Sequence, residues 1–471
     1  MSAPVPQGPL TVAIARTPDP LNNCAKLYSD AAAFVQSLPN VRLIETDRTL
    51  ASAADAVAIA AELSERAADL TILMCCRLAG DGRIVEPFMR SKQELMVWSV
   101  PEPQRTGNLT LNSLTCANLY LSTAQQLSAS CGGKRAKWLY GEPQGPYFAR
   151  RLTVTVGALR AKKRLSGAAL LSVGDTADGF VNLQYSPEAL LARFGARMLR
   201  VPLDRLAERM RAVPQSEAEA LAERMRDWAC GSTRFRAEVE QNARLALALE
   251  ALQNEAGASA LALRCWPEIQ ADWKFSACLA LSFLNEQGTI VSCEGDMPGA
   301  LTMLLLSEIT GERPLLLDMV AADLDRDALQ FWHCGIGMRR YMDGAGCELI
   351  KYPCDAAILD HPGACVDMKF APCTVTICRL AGGDAGRLFV CQAEIVPGPD
   401  RGYDGGRAWI GNFTMEGRPI SAAAFLDAAF RFGSPHHYAI CAGEAESALR
   451  EFAAHFSLAA SEWQEYRDEL R

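Results

Sequence analysis

Histidine is scarce in this chain, with five in 471 residues. Any imidazole that does chemistry must therefore be one of His333, His361, His436, His437 and His455. An excess of positive charge is missing too. Lys and Arg number 47 against 55 Asp and Glu, a formal net charge of -8, which argues against a nucleic-acid or anionic-membrane partner. No segment reaches the roughly 18 apolar residues of a spanning helix. The opening MSAPVPQGPLTVAIARTPDP lacks a basic stretch followed by a long apolar one. No membrane partner is expected, and a cytoplasmic enzyme or binding protein is. Seventeen cysteines are present, yet none forms a CxxC pair. Scattered thiols such as Cys75, Cys76, Cys265, Cys293 and Cys334 read as reduced core residues rather than disulfides or structural zinc ligands.

A chain of this length is expected to hold two or three domains. LTVAIAR (10–16) and ADLTILMCC (68–76) have the continuous apolar character of buried strands, and the segments between them have helical apolar spacing. With ELMVWSV and KRAKWLYGE they suggest a first α/β domain over residues 1–164, closed by Arg160, Lys162, Lys163 and Arg164 as a solvated helix C-terminus. GAALLSVGD opens a second α/β unit, 165–312, whose stretch 202–256 is helical by propensity and spacing. GDTADGF has the glycines of a strand-to-helix turn but neither the spacing nor the Lys of a phosphate-binding loop. After residue 313, short segments such as CTVTICRLAG, GRLFVCQAEIV and RAWIGNFTM alternate with Gly, Pro and Asp turns, which predicts an antiparallel β-rich domain, 313–471, with a terminal helix. The expected fold is α/β, two Rossmann-like α/β domains followed by a β-rich C-terminal domain.

The stretch IVSCEGDMPGALTMLLLSEITGERPLLLDMV (290–320) puts Glu294 on a small-residue turn and Asp318 at the end of an apolar run. Ionised carboxylates in such settings are costly unless they are solvated or something positive sits between them. His333 (FWHCGIG), His436 and His437 (GSPHHYAI) occupy Gly-containing loops beside predicted strands, where a side chain can project from a rigid support. His455 lies in an amphipathic helix and reads as structural, and His361 as a solvated loop residue. Carboxylates and imidazoles from distant segments are the donor types suited to Mn²⁺, Mg²⁺, Fe²⁺ or Co²⁺. Spacing alone does not prove that they converge.

Residues 290–333 resemble the metal-binding region of the L-fucose isomerase family: a short strand, an acid in a turn before a small-residue helix, then a second strand ending in Asp. GSPHHYAICAGEAESALREFAAHF is similar to that family's histidine-bearing loop, and its His-His pair to the related L-arabinose isomerases. The resemblance runs from about residue 165 to the end, and covers the first 160 residues only in architecture. It implies a divalent metal cofactor, Mn²⁺ foremost, held by Glu294, Asp318 and His437, with His436 as the alternative register. It also implies an intramolecular oxidoreductase that interconverts a free aldose and ketose through a metal-stabilised enediolate, with Glu294 and Asp318 as the catalytic acids. His333 falls near an additional ligand of the arabinose branch and reads as a fourth ligand or substrate contact. The family's assembly implies a homo-oligomer, a hexamer, with sites completed by a neighbouring subunit.

Further residues are candidates for substrate contact, His436 among them where His437 is the ligand. Trp266 in RCWPEI could pack on a sugar's apolar face or fill the core, and Glu268 beside it could support the site or start a helix. Asn112, Ser113, Arg77, Asp81 and Arg83 lie on loops after first-domain strands. Arg339, Arg340 and Lys369 either pair with acids such as Asp343 or Asp367, or face the cavity. In the second case the preferred substrate is an anionic 6-substituted hexose such as sulfoquinovose. The rival readings are a non-catalytic sugar-binding protein of the same fold and a metal hydrolase or lyase.

Overall fold

The computed structural model describes residues 8–19, 22–78, 80–354 and 363–469. His361 lies outside the described residues. The chain divides into two compact units, residues 7–163 and residues 164–471.

In the first unit the elements alternate: β1 (Leu10–Arg16), α1 (Ala25–Ser37), β2 (Val41–Glu45), α2 (Ala53–Glu65), β3 (Leu70–Cys75), α3 (Glu86–Arg90), β4 (Glu94–Ser99), α4 (Ser113–Leu127), β5 (Ala136–Tyr140) and α5 (Pro146–Leu165). The five strands pair in parallel in the order β2-β1-β3-β4-β5. Alternation of side chains along a strand divides the core in two. Ala13, Ala15, Leu73, Cys75 and Val97 pack with residues of α2 and α4 on one face. Val12, Ile14, Ile72, Met74, Met96 and Trp98 pack with α1 and α5 on the other. Burial on both faces explains why these strands read as unbroken apolar runs. The basic cluster does end α5, but it is not simply solvated: Lys162 Nζ lies 2.6 Å from Glu94 and Lys163 Nζ 2.7 Å from Asp69, acids at the starts of β4 and β3.

The second unit opens with β6 (Ala169–Val173), α6 (Pro187–Phe194), β7 (Arg197–Val201), α7 (Leu203–Ala212), α8 (Gln215–Trp228), α9 (Arg236–Ala256), β8 (Ala260–Leu263), α10 (Glu268–Ala271), α11 (Cys278–Gln287), β9 (Val291–Ser292) and α12 (Met297–Thr310). Its parallel sheet has the order β7-β6-β8-β9. Then come β10 (Leu315–Asp323), β11 (Ala328–His333), β12 (Met342–Ile350), β13 (Cys365–Phe370), β14 (Thr374–Ala381), β15 (Arg387–Val396), β16 (Gly406–Met415), β17 (Arg418–Pro419), α13 (Ala422–Phe432), β18 (His437–Ala442), α14 (Glu446–His455) and β19 (Ala459–Ala460).

Six of these strands close on themselves. β10 pairs with β11, β11 with β16, β16 with β15, β15 with β14, β14 with β18 and β18 with β10, every pairing antiparallel. Closure into a barrel removes the exposed edges that an open sheet would leave. Phe331, Phe389, Phe413 and Tyr438 from four barrel strands meet Phe425 of α13 in a buried aromatic cluster. Every cysteine is a free thiol, and among the described residues no helix is long and apolar enough to cross a membrane.

Candidate active site

Register carries two distant residues to one place. β10 and β18 pair so that Asp318 stands directly opposite His437, and side chains of a directly opposed pair share a face. Asp318 is not at a strand end, as the sequence suggests. The buried run Leu315–Leu317 stops there, but backbone pairing continues to Asp323 with a bulge between Met319 and Ala321.

Glu294 comes from the turn between β9 and α12, at the carboxyl end of a parallel strand, and its own φ is 58°. Gly295 follows at φ 68°, where an added Cβ would sit 2.0 Å from the Asp175 carbonyl oxygen. Only glycine fits, and the turn is thereby held against the loop after β6. Asp296 then caps α12, accepting from the Gly299 N–H at 2.9 Å.

The cluster has a closed inner side and an open outer side. His437 and Asp296 have no exposure, whereas Glu294, Asp318 and His436 keep 18%, 22% and 34% of their side chains accessible. His437 Nε2 lies 3.5 Å from Glu294 Oε2 and 3.6 Å from Asp318 Oδ1. Its Nδ1 is 2.9 Å from Asp296 Oδ2, and Asp296 is gripped by Arg379 through Nη1 at 2.5 Å and Nη2 at 2.9 Å. Gly299 makes room for this pair, since a Cβ there would come within 2.2 Å of Asp296 Oδ2. Burial works against ionisation of Asp296, but the charges and hydrogen bonds of Arg379 and His437 outweigh it and hold the carboxyl well below the usual range. Burial alone would likewise lower the His437 pKa. The Asp296 hydrogen bond and the charges of Asp318 and Glu294 push it up to about 9. At Glu294 the desolvation is outweighed by the His436 hydrogen bond and the nearby imidazoles, and the pKa falls.

This arrangement assigns the nitrogens. Asp296 accepts the His437 Nδ1–H, so Nε2 is the atom turned towards Glu294 and Asp318. His436 is wired differently: the Asn182 amide donates to its Nδ1 at 3.1 Å, which places an N–H on Nε2, 3.3 Å from Glu294 Oε2. Asp318 Oδ1 is buried and accepts no hydrogen bond from the described residues. An orphaned buried carboxylate oxygen beside Nε2 and a second carboxylate suits a divalent cation, and these donors fit one. The outer donor atoms that lie within 4.8 Å of one another are those of Glu294, His436 and His437; Asp318 is tied to this set by its 3.6 Å approach to His437 Nε2.

The remaining candidates are placed as follows. Trp266 is half-buried in a row of rings, 5.6 Å from Phe180, which is 5.3 Å from His436. That row borders the open side. His333 is buried at the end of β11, and the neighbour at its Nε2 is the Cys293 thiol, 3.0 Å away. Glu268 starts α10 and pairs with Arg264 at 2.8 Å. Arg340 pairs with Glu312 at 2.6 Å, and Arg339 is exposed in the turn before β12. Asp367 is paired, but with Arg401 and Arg407 rather than with the cations considered from sequence. Lys369 belongs to a single register row, Lys369, Arg407, Trp332, Asp318 and His437, across five neighbouring strands. Asn112 belongs to the first unit, at the position before α4 with φ 53°. In that unit the Ser113 hydroxyl donates to the Cys75 carbonyl oxygen, and Arg83 pairs with Asp81.

Sequence reasoning did not reach Asp296, Arg379, Cys293, Phe180 or Asn182. Asp296 carries one readable signal, an acid just before Met-Pro, which marks a helix start. Its second role on His437 has no local signature.

No family model matches the chain. Individual relatives do. The sulfoquinovose isomerase of Alkalicoccus urumqiensis is 28% identical over 385 residues, covering 80% of this chain and 82% of the relative. That of Priestia megaterium is 31% identical over 256 residues, 54% of this chain and 56% of the relative. That of Clostridium sp. (strain MSTE9) is 24% identical over 376 residues, 76% of this chain and 78% of the relative. Similarity to these isomerases identifies the chain as an enzyme of the sugar aldose-ketose isomerase kind.

Proposed function

We propose that the protein is a metal-dependent isomerase, similar to L-fucose isomerases, that interconverts an anionic 6-substituted aldohexose and its ketose, with sulfoquinovose as the substrate. The observation that carries this reading is that Glu294 Oε2 and the orphaned Asp318 Oδ1 each lie within 3.6 Å of His437 Nε2, at the open end of a buried ion-pair network. The relatives' names supply the sugar.

Glu294, Asp318 and His437 would hold a divalent ion, Mn²⁺ the first choice, which would supply Lewis-acid chemistry when bound. The chain supplies the rest. Each acid keeps a second oxygen for proton traffic: Glu294 Oε1 takes the C2 proton and returns it to C1, while Asp318 Oδ2 carries the hydroxyl proton from O2 to O1. His436 Nε2–H holds Glu294 in place. The ring row of Trp266 and Phe180 offers an apolar wall to the sugar. Lys369 stands three strand spacings from Asp318 on the same face, about 14 Å between backbones. Its long side chain is our candidate for the sulfonate, and His333 and Arg339 are carried as weaker substrate contacts. By the family resemblance Asn112 would serve a neighbouring subunit's site, in an oligomer for which we propose the hexamer. Light scattering of the active enzyme decides the assembly.

Incubation with sulfoquinovose and Mn²⁺ in D₂O tests the reaction. The expected product is the ketose with deuterium at C1, because a carboxylate-borne proton exchanges with solvent. Ketose formed without any label would contradict transfer through a carboxylate open to solvent exchange.

A further inference from the structure

Cys293 puts a soft donor on the inner side of the same histidine. Its Sγ lies 3.0 Å from His333 Nε2 and 3.7 Å from His437 Nε2, and the three donor atoms all fall within 4.8 Å of one another. Bonds of about 2.3 Å to sulfur and about 2.0 Å to imidazole at tetrahedral angles separate sulfur from nitrogen by about 3.5 Å. The two observed sulfur–nitrogen separations bracket that value, each within about half an ångström of it.

We propose that Cys293, His333 and His437 form a second cation site, selective for a thiophilic ion such as Zn²⁺ or Cd²⁺. Thiolate and imidazole favour such ions over Mn²⁺, whereas the carboxylate-rich outer set favours the harder ion. Both sets need His437 Nε2, so the two ions exclude each other. Glu294 Oε2, 3.5 Å from that nitrogen, is the fourth donor and brings the set to neutrality. Ligation sends two protons to solvent, that of the Cys293 thiol and the one on His437 Nε2. It also leaves His333 with its ring proton on Nδ1, where Cys334 Sγ at 3.2 Å accepts it and the Cys334 N–H gives up its contact. The site stands on Cys293, His333 and His437, completed by Glu294, whether or not the outer set holds Mn²⁺. Only its competition with Mn²⁺ rests on the proposed function.

The test is titration of the metal-free protein with Cd²⁺, read by the ultraviolet sulfur-to-cadmium charge-transfer band, in wild type, Cys293→Ser and Cys293→Ala. Near-ultraviolet circular dichroism confirms that the variants are folded. The expected result is a wild-type band that saturates with one ion and is absent from both variants, with Cd²⁺ affinity lowered at least about tenfold. Mn²⁺ affinity, followed by electron paramagnetic resonance, should stay within about threefold. Cd²⁺ should displace Mn²⁺ from the wild type. The same band in the variants, or a loss of Mn²⁺ affinity equal to the loss for Cd²⁺, would overturn the second site. If Mn²⁺ does not bind while the Cys293-dependent band stands, the proposed function fails and this site survives.

Discussion

Asp296 Oδ2 lies 2.9 Å from His437 Nδ1, with both side chains fully buried, and this contact selects the nitrogen that faces the acids. A histidine that donates from one nitrogen to a carboxylate presents the other as a fixed, more basic donor. Arg379 keeps Asp296 ionised and immobile, so the orientation of His437 is set by packing rather than by the cation.

Asp296→Asn should therefore weaken Mn²⁺ binding about 10- to 100-fold. It should also destabilise the fold by roughly 3–5 kcal/mol, because Arg379 loses its buried counter-charge. Calorimetric titration and denaturant unfolding read the two effects separately. Unchanged Mn²⁺ affinity in a folded variant would show that the histidine does not need this partner.

Glu294→Gln and Asp318→Asn should each abolish turnover and lower metal occupancy while leaving the unfolding midpoint close to wild type. Asp318 Oδ1 has no hydrogen bond to lose among the described residues, so the amide costs little structurally. Near-normal turnover by either metal-loaded variant would remove that acid from the site.

The two neighbouring histidines should separate cleanly. His437→Ala is expected to lose the metal. His436→Ala should keep it and lose substrate affinity, since its ring borders the open side and its N–H faces Glu294. Elemental analysis of both proteins, with KM for the second, checks the ranking; the reverse order would exchange the two roles.

Metal uptake should release a proton. His437, with its pKa raised to about 9, carries a proton at neutral pH in the metal-free protein, and a cation at Nε2 must displace it. Mn²⁺ affinity should accordingly rise up to about tenfold per pH unit and level off above pH 9. Titration calorimetry in buffers of different ionisation enthalpy counts the proton. Affinity independent of pH between 7 and 9 would contradict the exchange.

The parts of this protein legible in its sequence are those written in short windows. The apolar runs around Ile72 and Met96 announce buried parallel strands because both faces of that sheet are covered. Glu294 and Asp318 stand out because acids at the tips of apolar runs are costly. Barrel closure is different, since it depends on pairing β10 with β18, about 120 residues further on, and no local pattern encodes that register. Arg379 sits inside CTVTICRLAG like any strand residue. Its buried partner is visible only once α12 is packed against β14. Cys293 reads as a core thiol and is one, but it is a core thiol placed against two imidazoles.

Lys369→Ala should lower kcat/KM for the sulfonated sugar about tenfold to a hundredfold and leave a neutral 6-deoxyhexose nearly unaffected, as expected for one charge-assisted contact worth about 1.5–3 kcal/mol. Equal losses on both sugars would assign Lys369 a structural role on its register row.

The most direct measurement is the rate of ketose formation from sulfoquinovose by the chelator-treated enzyme before and after Mn²⁺ is restored. Negligible turnover without metal, recovery with Mn²⁺ and much weaker recovery with Ca²⁺, a larger ion with looser coordination, is the expected result. Full turnover in the metal-free enzyme, or none on this sugar with Mn²⁺ bound at Glu294, Asp318 and His437, would contradict it.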